Sequence, residues 1–251
     1  MQICRRLEAK EVGLLISFTA LYAYFSFIPA FRIIGLESKA ITLAAITAPI
    51  VGIILGPYLG TLSAFLGGIV GFFAEHFSPL SFVSGIITAV FAGLLHTNKR
   101  SNCILIYFSL MFFFGFYPFV GSIWLYPPFM WFQLIGFLVL VSPLQSMASK
   151  NIHKSSNTSK LLCAFFIVFL TSTLAGQIAG SLVYELTISW PIFMADVNFW
   201  TGLWQLLTLI YPIERIIIAL IATLIGVPLY KILMSTNLMQ PFNHREHQKN
   251  A

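Results

Sequence analysis

The chain has 251 residues, 58% of them hydrophobic and only 9% charged, with a mean hydropathy of +0.89, whereas a soluble domain carries about a quarter charged residues. That composition leaves no room for a soluble enzyme module and describes one membrane domain. The formal net charge of +6 does not mark a nucleic-acid partner, because the basic residues stand in short clusters between apolar runs and form no stripe.

An apolar helix needs about 20 residues to cross about 30 Å of hydrocarbon. Runs of this kind predict an all-α, polytopic transmembrane helical bundle of about eight spans, in a single integral membrane domain covering residues 1–251. In chain order the spans are Val12–Phe31, Ala40–Leu55, Tyr58–Phe77, Leu80–His96, Cys103–Ser122, Pro128–Met147, Leu161–Leu186 and Leu206–Met234. The first follows Arg5, Arg6 and Lys10 as a secretory signal would, but its apolar run exceeds a signal core, so it is read as a span. Gly56-Pro57 predicts a tight reversal between the second and third spans. A polar inner loop is expected from Ser149 to Lys160. The aromatic outer segment 187–205, too broken for a span, lies in the interface or folds back as a lid.

This arrangement places Arg5, Arg6, Lys10, Lys99, Arg100, Lys150, Lys154, Lys160, Lys231, Arg245 and Lys249 on one side, and Arg32, Lys39 and Arg215 on the other. By the positive-inside rule the first side is cytoplasmic and holds both termini. The expected location is the cell (plasma) membrane, with the lipid bilayer as solvent. Glu37, Glu75, Glu185, Asp196 and Glu214 fall outside, an asymmetry that directs attention to the outer face. Cys4, Cys103 and Cys163 show no paired spacing and read as reduced thiols.

Small residues recur at helical spacing through Gly52, Gly56, Gly60, Ser63, Ala64, Gly67, Gly68 and Gly71, and again at Ser17, Ala20 and Ala23. Such stripes either pack helices internally or present a docking surface.

No Walker A loop, GxSxG elbow, HExxH helix or cysteine cluster is present. The chain is therefore expected not to hydrolyse ATP itself, and no catalytic residue, metal ligand or cofactor is assigned. Charges at membrane depth are costly and mark candidate function. The substrate-binding candidates are Arg32, Glu37, Glu75, His76, Gln177, Glu185, Trp190, Trp200, Glu214 and Arg215. Glu75 and His76 are either a solvated helix end or a pair for a heterocycle. Gln177, flanked by Gly176 and Gly180, needs a partner in a neighbouring helix or in a ligand. Glu214 complements a helix N-terminus while Arg215 wants an acidic partner or ligand. The outer aromatics, Trp190 and Trp200 among them, form an interfacial belt or a stacking pocket for a flat ring.

The strings Thr19-Ala20-Leu21-Tyr22-Ala23-Tyr24-Phe25-Ser26, Leu43 to Pro49 and Gly52-Ile53-Ile54-Leu55-Gly56-Pro57-Tyr58-Leu59-Gly60 resemble the substrate-binding S components of energy-coupling factor (ECF) vitamin transporters. Tyr211-Pro212-Ile213-Glu214-Arg215, Ala219 to Leu224 and Gly226-Val227-Pro228-Leu229-Tyr230-Lys231 resemble the final helix of that family. The resemblance implies a six-helix core, here with two extra helices within 103–147. It further implies capture of a small-molecule nutrient from outside, and delivery by toppling within an assembly of a transmembrane coupling subunit and cytoplasmic ATPases. Ser17, Ala20 and Ala23 are the matching subunit-coupling candidates, although the family's AxxxA pattern is absent in strict form. The competing expectations are a membrane enzyme using Glu75, His76 or Glu185 on a lipid-linked substrate, and a stand-alone secondary transporter built on inverted repeats.

Overall fold

Glu8 caps the first helix, α1 (Ala9–Ser26), and its backbone N–H donates to the Glu11 carboxylate at 3.1 Å. The computed structural model describes residues 8–32, 40–74, 77–155, 157–190, 195–236 and 238, with Arg32 described by its backbone alone. Beyond Ser26 the chain meets Pro29, which disfavours a helix before it. Residues Pro29–Arg32 (β1) and Ala40–Thr42 (β2) pair as antiparallel strands, with Pro29 opposite Thr42 and Phe31 opposite Ile41. This short strand pair leaves the fold class helical but moves the bounds of two expected spans: the first helix stops at Ser26 instead of Phe31, and the second begins at Ala44 instead of Ala40.

Helix α2 (Ala44–Phe73) breaks at Gly56, whose φ of 77° and ψ of 180° are not helical. A side chain at Gly60 would lie 3.0 Å from the Gly52 Cα and 2.9 Å from the Val51 carbonyl. In a straight helix eight residues separate atoms by about 12 Å, so the chain doubles back at Gly56, as Gly56-Pro57 predicts. The two halves are about 18 and 25 Å long at about 1.5 Å per residue. Helix α3 (Pro79–His96) is capped by Ser78, whose hydroxyl accepts from the Ser81 N–H, and lies against the hairpin. Gly93 sits on Pro57, where an added Cβ would come within 2.6 Å of the Pro57 Cα.

Helices α4 (Arg100–Gly115), α5 (Ser122–Leu125) and α6 (Trp131–Val141, entered through a 3-10 turn at Pro127–Met130) follow. The segment Pro127–Val141 then bends by 61° into α7 (Pro143–Lys154), so the expected span Pro128–Met147 is interrupted. Ser142 ends one helix and caps the next, with Pro143 in the first turn. The expected polar loop from Ser149 is therefore helical up to Lys154. Helix α8 (Thr158–Ile188) carries an Asn157 cap, and α9 (Val197–Ser235) an Asp196 cap. The Asp196 carboxylate accepts from the Asn198 N–H at 2.9 Å and the Phe199 N–H at 3.3 Å. Much of the expected outer segment 187–205 is thus the start of α9. Trp200, Leu203, Trp204 and Leu207 are buried at the spacing of one helical face.

Among the described residues, four helices are long and apolar enough to cross a membrane (α2, counted along both its halves, α3, α8 and α9), and the bent pair of α6 and α7 makes up to five. The chain is a helical, multi-pass membrane protein by this measure, with fewer qualifying helices than the expected eight. Two of the expected spans are the halves of α2. Helix α4 has only 16 residues, and α1 opens with Lys10 and Glu11.

Glycine contacts draw the helices together. Gly67 of α2 faces Thr19 and Ala23 of α1, Gly52 faces Ala89 and Ala92 of α3, and Gly176 of α8 meets Thr88 and Ser84 of α3. The Gly52–Gly71 stripe is therefore spent on internal packing. The bundle has two distinct ends. At one, the strands meet the start of α3, and the Trp204 indole donates to the Val120 carbonyl at 2.9 Å. At the other, Gly56 lies near the end of α3, His153 stacks on His96 with ring centroids 4.4 Å apart, and Lys231 donates to the Thr158 hydroxyl at 2.6 Å.

Candidate functional site

At the strand end, β2, α3, α8 and α9 surround a small open-mouthed cavity of about 60 Å³. Helix α3 presents Leu80, Ser81, Ser84, Gly85 and Thr88; α8 presents Thr173, Gln177, Gly180 and Ser181; α9 presents Tyr211 and Arg215. Ile41, Thr42, Ala45 and Phe77 complete the wall. The spacings are those of single helical faces: Thr173, Gln177 and Ser181 stand one turn apart, as do Tyr211 and Arg215.

Hydrogen bonding divides the polar lining. The Thr88 hydroxyl donates to the Ser84 carbonyl at 2.8 Å, and the Thr173 hydroxyl to the Phe169 carbonyl at 2.8 Å. These threonines spend their protons on their own helices and keep oxygen lone pairs. In contrast, both heads of the Gln177 amide, the Thr42 hydroxyl and Arg215 Nε are buried without a hydrogen-bond partner. Buried polar groups are normally paired, and each exception calls for an explanation. These four atoms belong to three residues, one each from β2, α8 and α9, that line the same cavity.

Gln177 and Arg215 both line the cavity, as two of the residues singled out from the sequence. Arg215 Nη2 lies 3.8 Å from the Glu214 carboxylate, an ion pair between neighbours that leaves Glu214 Oε2 without a hydrogen bond. Glu185 stands two turns beyond Gln177 on α8, outside the cavity lining, fully buried and with neither carboxylate oxygen hydrogen-bonded. Trp200 belongs to an aromatic cluster, 5.5 Å from Tyr184 and 5.3 Å from Trp204, and does not reach the cavity wall. Trp190 is 75% exposed at the end of the described part of that connection. The Arg32 side chain, Glu37, Glu75 and His76 lie outside the described residues. On α1, Ser17 and Ala20 are exposed, whereas Ala23 is half-buried against Gly67.

The sequence reading did not single out Thr42, Ser81, Ser84, Thr88, Thr173 or Ser181. A signal was present: hydroxyl residues at helical spacing on the glycine-bearing faces of two apolar helices. No protein-family model, no curated protein and no solved structure matches the chain.

Proposed function

We propose that this chain is the substrate-capture subunit of an ATP-driven micronutrient importer, binding a vitamin or vitamin precursor in the strand-end cavity and energised by separate coupling and ATPase subunits. The observation that carries this reading is the cavity itself: it is concave, partly apolar and lined by several polar groups left without partners, the character of a small-molecule site. The excess of Lys and Arg at the Gly56 end supports an orientation with the cavity outside and both termini in the cytoplasm. Exposed small residues on α1, Ser17 and Ala20, suit close approach of a coupling subunit. The absence of an ATP-binding motif from the sequence is consistent with energy supplied by partners.

The test is thermal stabilisation of the detergent-purified chain against a panel of vitamins and precursors, since a ligand that binds only the folded state raises its apparent stability by mass action. Saturable stabilisation by one compound, lost in Arg215→Ala, supports capture; a flat response across the panel removes the reading. Glu185 favours a second reading, a stand-alone transporter coupled to an ion, because a buried carboxylate without a partner suits proton or cation binding. Uptake by proteoliposomes holding this chain alone, driven by a pH or sodium gradient, separates the two.

A further inference from the structure

The free hydrogen-bonding capacity of the cavity describes the chemical edge of its ligand. Gln177 is 4% exposed, and both its amide oxygen and its amide nitrogen are without partners. A carboxamide offers a donor and an acceptor side by side, and matches a planar group that presents an acceptor beside a donor. Beside it, the hydroxyl protons of Thr88 and Thr173 are committed to backbone carbonyls, so these two side chains can only accept from a ligand N–H. Phe77 and Leu80 supply apolar wall, suited to the faces of a ring.

Resting on the capture reading above, we infer that the ligand is a small planar heterocycle with an N–H donor and an acceptor adjacent on one edge, a lactam, cyclic urea or amino-azine, docked edge-on against Gln177. Where the ligand carries a further N–H, the lone pairs of Thr88 and Thr173 accept it. The amide is held in a costly unpaired state until the ligand pairs it. Removing it therefore relieves the empty protein while it damages the complex.

The experiment measures ligand-dependent melting and calorimetric affinity of the full chain in detergent against two sets of probes. Uracil, biotin, riboflavin and thiamine carry such an edge, and nicotinate, lipoate and pantothenate do not. The expected result is saturable binding by a member of the first set, weakened about ten- to hundredfold in Gln177→Leu, as for loss of a bidentate pair. Empty Gln177→Leu is expected to melt at or above the wild-type temperature. Binding only within the second set, or binding that survives Gln177→Leu, overturns the edge assignment and leaves capture standing. A lower melting temperature of empty Gln177→Leu identifies the amide as a structural tie and also overturns the assignment. No saturable binding in either set removes both this inference and the capture reading.

Discussion

Arg215 shows how an ion pair between sequence neighbours differs from one made across the bundle. Its guanidinium reaches Glu214 only at 3.8 Å and keeps Nε free while lining the cavity. Arg215→Ala is therefore expected to remove ligand-dependent stabilisation, whereas Arg215→Lys keeps the charge but not the planar fork and recovers it only in part. Gly176 tests the packing beneath the cavity. A methyl group there meets the Thr88 hydroxyl and comes within 2.6 Å of the Ser84 carbonyl. Gly176→Ala is expected to cost about 1–3 kcal/mol by overpacking, read as a lower denaturation midpoint. Gln177 was legible in the sequence because an amide in an apolar helix always needs a partner. The hydroxyls of Thr88 and Thr173 were not, since a threonine in a membrane helix can satisfy itself on its own backbone, and only the fold shows which of them share a wall. The burial of Trp200 among Tyr184 and Trp204 was not legible for a related reason: an aromatic residue near a membrane surface looks alike whether it anchors the chain or fills a core.

Among the elements, the α2 hairpin depends on Gly56, the position where a left-handed φ is required. Gly56→Ala is expected to destabilise the fold by about 1–3 kcal/mol through that backbone conformation alone, because no atom lies within 4 Å of an added Cβ. The reversal was readable from Gly56-Pro57. The strand pair was not, because Ala40-Ile41-Thr42 continues into an apolar run and reads as the start of a helix. The beginning of α9 was readable in principle, since Asp196 stands before Trp200, Leu203, Trp204 and Leu207 at a helical period; the density of aromatic residues and Pro191 obscured it. On α1 the two faces separate the roles of the small residues. Ala23 is half-buried at Gly67, while Ala20 is exposed. Ala23→Trp is expected to lower the thermal midpoint of the isolated chain. If the chain works as the proposed capture subunit, Ala20→Trp should leave that midpoint and ligand binding unchanged and abolish co-purification with its coupling subunit, as a bulky group blocks close helix approach.

For the whole molecule, the decisive quantity is which end of the bundle faces the outside. The strand end holds the cavity and the exposed Trp190; the Gly56 end gathers Lys99, Arg100, Lys154 and Lys231. Basic residues beside spans are retained in the cytoplasm, so the charge pattern supports the proposed orientation, with the cavity outward, independently of any resemblance to known importers. The bend between α6 and α7 strengthens the same asymmetry, because it turns Lys150, His153 and Lys154 along the Gly56 end, where His153 stacks on His96. The expected outcome follows in a cysteine-free background, with Cys4, Cys103 and Cys163 replaced by alanine. A membrane-impermeant maleimide added to intact cells should label Trp190→Cys, and should label Lys154→Cys only after permeabilisation. The inverse pattern puts the cavity mouth in the cytoplasm, where a subunit that captures nutrients from outside has no use for it. Labelling of both in intact cells means that the chain inserts in two orientations, which the positive-inside bias of this sequence opposes.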